Sequence, residues 1–506
     1  MLLYAKDYNR LLYEISSICK HVFYKLYCFY RVCAALKRSN GEIMSEDGRT
    51  LNNPLGTAPL IPLIARYAIP SIISMLVGAA YNITDQIFIG HIVGMLGNAA
   101  TNVVFPTVTL TTGLSMLFGI GTAANFSINQ GAGKIDEAKR YVHTGLTGVI
   151  AAGLLTGLAV FLLRGPVIAL CGADPAGNVY PYAMSYLSIT AFGLPFQMFA
   201  HTSSSIIRAD GSPRYSMLCT VSGALLNVFL DWLFMVPFAW GIRGAAAATA
   251  LSQMVSCTLA ALYYPRFRAF KISVSDFGIS GEHLLGSMRA GIPNFCNHML
   301  MMITSIVLNN ALAVYGAKSV YGPDIPLAVS GVAQKTSMIM VSFAVGIAQG
   351  CQPIWGFNLG ARNYSRVKKA YWNAFSAAFA VGVIFFIALQ LFPRQIISIF
   401  GSGEEMYFSF AEKYLKIYMM FVFLQNIQPI CINYFTATGN HRQGLLASLS
   451  RQGLFLIPLL LLLPRRMGID GILIANPVAD VLSFVMSVSM VLLSFRKFGA
   501  DGAQER

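Results

Sequence analysis

The chain has 506 residues, of which 56% are hydrophobic and only 11% charged, and its mean hydropathy is +0.60. A soluble domain is about one quarter charged, so this composition excludes a soluble enzyme and a disordered protein. A net charge of +15 would suit a nucleic-acid binder. The basic residues, however, sit in short runs between long apolar stretches, the pattern of a protein that crosses a membrane many times. The lipid bilayer is therefore the expected partner, and nucleic acid is not.

Residues 1–58 read as an N-terminal cytoplasmic extension. Within it, 1–43 carries Lys6, Arg10, Lys20, Lys25, Arg31, Lys37 and Arg38 among aromatics and holds no long apolar run. One reading is a mispredicted start, with translation beginning at Met44. The other is a basic amphipathic segment lying on the inner leaflet. The segment lacks the compact apolar core and small-residue cleavage site of a signal peptide.

A spanning helix needs about 20 mostly apolar residues. Twelve such stretches follow, at 60–89, 98–129, 141–163, 178–207, 215–238, 244–264, 286–313, 326–357, 367–391, 407–437, 443–463 and 471–495. The expected fold class is an all-α polytopic membrane protein with twelve transmembrane helices. The first lobe covers 59–264, a cytoplasmic linker 265–285, the second lobe 286–495 and a cytoplasmic tail 496–506. Lys and Arg collect in alternate connections: Lys134, Lys139 and Arg140; Arg208 and Arg214; Arg266, Arg268 and Lys271; Arg362, Arg366, Lys368 and Lys369; Arg442 and Arg451; then Arg496, Lys497 and Arg506. Placing these inside puts both termini in the cytoplasm of a protein in the cell's inner (plasma) membrane.

The two halves repeat with an offset of about 228 residues. Asn129, Gly131, Ala132 and Lys139 match Asn358, Gly360, Ala361 and Lys368. Gly121 matches Gly350. Gln197, Ala209, Gly211 and Arg214 match Gln425, Ala437, Gly439 and Arg442, and Gly241, Ile242, Gly244 and Ala248 match Gly468, Ile469, Gly471 and Ala475. Each half holds six spans, an even number. The halves therefore cross in the same sense, as two six-helix bundles related by a pseudo-two-fold axis along the membrane normal. Two such lobes around a central cavity suit alternating access.

Three carboxylates fall deep in spans: Asp85, Asp231 and Asp480. A charge at that depth is costly and marks a functional position by default. Asn82 and Tyr81 share a helix face with Asp85, and Asn227 lies one turn before Asp231. With Thr249, these oxygens could hold a proton or a hard cation such as sodium. In the second half, Asp480 could pair with Lys335, although Lys335 reads more readily as snorkelling to an interface. His201 and His298 read as packing residues. Pro70 shares the first span with Asp85 and is the candidate hinge. The nine cysteines form no C-x-x-C pair. No phosphate loop, H-E-x-x-H or catalytic triad is evident, so the chain is not expected to be an enzyme, and neither a cofactor nor a structural metal is expected.

Several segments carry a resemblance: P-S-I-I-S-M-L-V-G-A-A-Y-N-I-T-D-Q-I-F-I-G from Pro70, N-Q-G-A-G-K from Asn129, R-A-D-G-S-P-R from Arg208, N-V-F-L-D from Asn227, and N-L-G-A-R and A-T-G-N-H-R in the second half. Together and in order, over about residues 50–496, they resemble the multidrug and toxic compound extrusion (MATE) family, closest to its bacterial MepA-type branch. The resemblance implies drug–cation antiport driven by protons or sodium, with amphipathic organic cations as substrates. It implies a first-lobe cluster of Asp85, Asn227, Asp231 and Thr249, with Tyr186 beside it, and a first helix that bends at Pro70. The absence of an acid on the seventh span argues against the second-lobe cation site of another branch. A monomer is expected. The alternative function is a flippase for lipid-linked saccharides on a related two-lobe fold, which would favour an Arg-lined cavity.

Overall fold

The computed structural model describes residues 53–272, 278–322, 324–400 and 405–504. The segment 1–43, Met44 and Arg506 lie outside the described residues.

Among the described residues the secondary structure is helical, with no strand. The first six long helices are α1 (Leu60–Ile92), α2 (Met95–Gly131), α3 (Ile135–Leu162), α4 (Val179–Ala209), α5 (Pro213–Met235) and α6 (Ile242–Ala261). The second six are α7 (Gly281–Gly316), α8 (Asp324–Gly360), α9 (Tyr364–Leu391), α10, α11 (His441–Met467) and α12 (Ile469–Gln504). Helix α10 is broken into Glu405–Tyr418 and Val422–Ala437, bent by 52°. Ten of these helices are long and apolar enough to cross a membrane, and eleven if the bent pair is one span. Helix α4 is the more polar twelfth, with Gln197, His201 and a run of Ser and Thr. It packs against α2, α3 and α6, so each of the twelve expected stretches has a helix.

The sequence repeat has a backbone counterpart. Gly211 and its match Gly439 turn at φ +85° and +70°, and Gly241 and Gly468 at +56° and +60°. These are left-handed conformations that glycine adopts without steric cost, and they start the same helices in each half.

Within the first six helices, α4 packs on α2, α3 and α6, and α5 packs on α1 and α6. Between the two sets the main contacts are α2 on α7, α1 on α8 and α2 on α8. The first two contacts exchange under the repeat, and the third sits on its axis. Small residues make the approach close. A Cβ on Gly131 would lie 1.9 Å from the Phe357 carbonyl oxygen, and one on its match Gly360 would lie 1.9 Å from the Ile128 carbonyl oxygen. Gly121 and Gly291 hold α2 against α7 in the same way, and the Gly346–Gly350 pair holds α8 against α1. In a membrane such small-residue stripes let backbones meet.

This contact is one-sided. The C-terminal halves of α2 and α8 are buried almost continuously, while their N-terminal halves are not. Hydrogen bonds that join the two sets cluster at the C-terminal end of α2 and α8. Gln352 Nε2 donates to the Ile120 carbonyl at 3.0 Å, and Asn125 Nδ2 to the Gly286 carbonyl at 3.2 Å. Asn358 Nδ2 donates to the Leu55 carbonyl at 2.9 Å, and His283 Nε2 lies 2.8 Å from Glu137 Oε2. The two bundles are thus joined at one end and part toward the other.

The connection between bundles is stapled at that same end. Asp210, in the α4–α5 turn, accepts from the backbone amides of Arg268 at 2.7 Å and Ala269 at 3.0 Å and from the Tyr263 hydroxyl at 2.7 Å. Asp210→Ala would orphan two backbone donors, at a cost of about 2–4 kcal/mol. The expected result is a lower thermal midpoint of the purified protein. An unchanged midpoint would mean that the connection is held elsewhere.

Candidate functional site

The residues expected at the cation site come from four helices of the first bundle. Asp85 lies on α1, Asn227 and Asp231 one turn apart on α5, Thr249 on α6 and Tyr186 on α4. The packing of α5 against both α1 and α6 brings the acids together. Tyr186, Asn227 and Asp231 are 7%, 2% and 0% exposed. Asn227 Nδ2 donates to Thr249 Oγ1 at 3.5 Å. Asp85 and Asp231 are near enough to interact directly, and Tyr186 is in range of both. Yet Asp85 Oδ1, both Asp231 carboxyl oxygens and Asn227 Oδ1 are buried without a hydrogen-bond partner. Buried polar atoms are nearly always partnered, so a group of four such oxygens is a specific feature. Hard oxygen donors of this kind fit a proton or a small hard cation.

One expectation is modified. Asn82 is exposed, and its amide donates to the Gly78 carbonyl of its own helix at 2.7 Å, so it stays outside the buried cluster. Its neighbour Tyr81, which shares the Asp85 face, is in interaction range of Asp85 and Asp231. Helix α1 runs unbroken through Pro70, which is buried. Sequence reasoning also missed a polar chain beside the cluster. Gln253, one turn beyond Thr249, donates to Gln197 Oε1 at 3.4 Å, and Gln197 Nε2 lies 3.4 Å from Thr112 Oγ1. The spacing of Thr249 and Gln253 was the available signal.

In the second bundle Asp480 is not paired with Lys335, the less favoured of the two readings of that lysine. The partner of Asp480 is Arg451, at 2.7 Å, and Lys335 is exposed on α8. The charge pattern places Arg451 in a cytoplasmic connection. It lies instead inside α11, in a π-helical stretch, Ser450–Leu456, and is 8% exposed. Gln352 braces the two bundles, and Asn294 donates to Thr436 Oγ1 at 3.1 Å, so both serve packing. His201 and His298 lie within interaction range of each other. Among the described residues no group of three or more His, Cys, Asp and Glu is placed to hold a metal ion.

The MatE family model matches residues 70–233 and 298–462. The chain belongs to the MatE family. As a MATE protein it is a multi-pass membrane transporter rather than an enzyme. The multidrug export protein MepA of Staphylococcus aureus (strain MSSA476) is 24% identical over 448 residues, covering 88% of this chain and 97% of that protein. MepA of Staphylococcus saprophyticus is 24% identical over 445 residues, covering 87% and 95%. Among solved structures, the MATE multidrug transporter DinF-BH, in complex with a ligand, is 30% identical with a TM-score of 0.79 and covers 89% of this chain and 98% of its own. An outward-facing MATE family transporter at 23% identity has a TM-score of 0.78 over 90% of this chain and 100% of its own, which shows the shared fold.

Proposed function

We propose that this protein is a cation-coupled multidrug efflux antiporter that exports amphipathic organic cations by alternating access in the plasma membrane, with protons or sodium as the coupling ion. The supporting observation is the pair Asp85 and Asp231, brought together by α1 and α5, with buried oxygens that lack partners. Two carboxylates in a dry site require a compensating cation. A proton or sodium ion can supply it, and so can a cationic drug that reaches the same carboxylates. Ligands that compete for the same carboxylates are coupled by that competition alone.

The bundle contacts support the second half of the cycle. The end at which the bundles join carries the Lys134–Arg140, Arg208–Arg214 and Arg362–Lys369 connections, which the positive-inside rule places in the cytoplasm with both termini. In that orientation the described state is closed inside and open outside. The coupling ion then enters from outside and displaces the drug. Rocking about the seam opens the other end, the ion leaves, and the restored negative charge attracts the next drug. Pro70, in the part of α1 that packs on α8, is the hinge. The chain acts as a monomer, with both halves in one polypeptide. Arg451 is committed to Asp480 and offers no charge to a lipid diphosphate, so the flippase reading gains no support.

Purified protein in liposomes loaded with a fluorescent organic cation tests this. Efflux should follow an imposed proton or sodium gradient and collapse when that gradient is dissipated. Transport that ignores both gradients would reject coupling.

A further inference from the structure

The repeat carries the first bundle's site residues onto defined positions of the second. The register that pairs Gln197 with Gln425 pairs Tyr186 with Tyr414, and the register that pairs Ile242 with Ile469 pairs Thr249 with Asn476. Both counterparts are buried in one polar cluster. Tyr414 stacks on Tyr418 at 4.8 Å. Asn476 Nδ2 donates to the Tyr418 carbonyl at 2.8 Å and approaches Asp480 Oδ2 at 3.4 Å. Arg451 projects from α11 about one turn before the position that matches Asn227. Its Nε donates to Asp480 Oδ1 at 2.7 Å, and its Nη2 to Asn476 Oδ1 at 3.0 Å. The Arg451 and Asp480 side chains are 9% and 0% exposed.

The two clusters share their scaffold and differ in charge balance. The first holds two acids whose buried oxygens are unpartnered. The second holds one acid whose two oxygens face a guanidinium and a carboxamide. The π-helical stretch Ser450–Leu456 carries that guanidinium into the bundle. Such irregular turns are rare and concentrate at functional positions.

We propose that Arg451 is a tethered cation that stands in the second bundle where an exchangeable cation stands in the first. Arginine does not lose its charge in proteins. The second bundle therefore stays charge-balanced throughout the cycle, and ion exchange is confined to the first. This inference rests on the cation site proposed for the first bundle.

The test compares purified full-length wild type, Arg451→Ala and Arg451→Ala/Asp480→Asn by thermal unfolding. Each is titrated with protons, sodium chloride and low-millimolar guanidinium chloride, with choline chloride controlling ionic strength. Arg451→Ala should melt lower than wild type. It should then recover by several degrees more than wild type responds, because a small cation that settles on Asp480 stabilises the folded state. The double variant should show no such extra recovery. Equal responses from all three proteins would overturn the proposal. Arg451→Met/Asp480→Leu, apolar and without a buried charge, covers the case in which the single variant does not fold. It should transport at the wild-type rate with wild-type ion dependence, and loss of ion dependence would overturn the proposal. The melting responses need no transport, so they stand or fall separately from efflux by Asp85 and Asp231 variants.

Discussion

Asp85→Asn and Asp231→Asn should each lower gradient-driven drug efflux by more than tenfold while the protein remains folded in the membrane. Asparagine keeps the shape of aspartate and removes its charge. Outside the contact between the two carboxyls, the Asp231 oxygens and Asp85 Oδ1 have no hydrogen-bond partner, so the substitution breaks few bonds. It also relieves the cost of a bilayer-depth charge, about 2.5–3.5 kcal/mol on insertion scales. The thermal midpoint should therefore hold steady or rise while efflux falls. Activity and stability moving in opposite directions separate a functional acid from a structural one. Efflux should lose its response to the ion gradient along with its rate. Both variants pumping normally would move the coupling site elsewhere.

Gly360→Val should block transport as completely by a different route. Its Cβ would meet the Ile128 carbonyl oxygen at 1.9 Å, far inside the contact distance of about 3.5–4.0 Å. Both partners are backbone atoms of long helices, so neither can swing aside. The clash exists only while α2 and α8 are together. Reversing a 99:1 preference between two states takes about 5.5 kcal/mol, and several kcal/mol of overlap at the seam would move the population well toward the parted state. Ser127, 1% exposed and beside Gly356, supplies the readout. A cysteine placed there should resist a thiol reagent in an otherwise wild-type protein and react quickly in the Gly360→Val background. Unchanged labelling with normal efflux would mean that the seam accommodates the side chain.

Much of this architecture was legible because the membrane simplifies the code. Apolar runs have to become helices, since a spanning backbone must satisfy its own hydrogen bonds. The repeat was legible because Gly211, Gly439, Gly241 and Gly468 fix backbone conformations that few other residues adopt, and Gly131 and Gly360 fix an approach that no side chain permits. The acids were legible because Asp85 and Asp231 have no business at that depth without a role. The break in α10 was not. No proline lies at Met419–Phe421, and Pro429 falls further on. Arg451 was misplaced for a physical reason. An arginine about ten residues into a span reads as flanking charge, and its partner Asp480 is distant in sequence on another helix. Only packing reveals that the pair is dry. Asn82 reads from helical spacing as a neighbour of Asp85; it is exposed and bonds the Gly78 carbonyl of its own helix, while Tyr81 on the same face comes within range of both acids.

The seam between the bundles also sets how readily it comes undone. Its acceptors are largely main-chain carbonyls, those of Ile120, Gly286 and Leu55, and its closest approaches are made by bare glycines. When such a surface opens at an aqueous end, water takes over each severed bond, whose net worth is about 1 kcal/mol. The side chains that cross it there, Gln352, Asn125 and Asn358, each let go of a single main-chain carbonyl. The protein can therefore unzip and reseal this edge on every turnover without melting either bundle, a clasp built for repeated use.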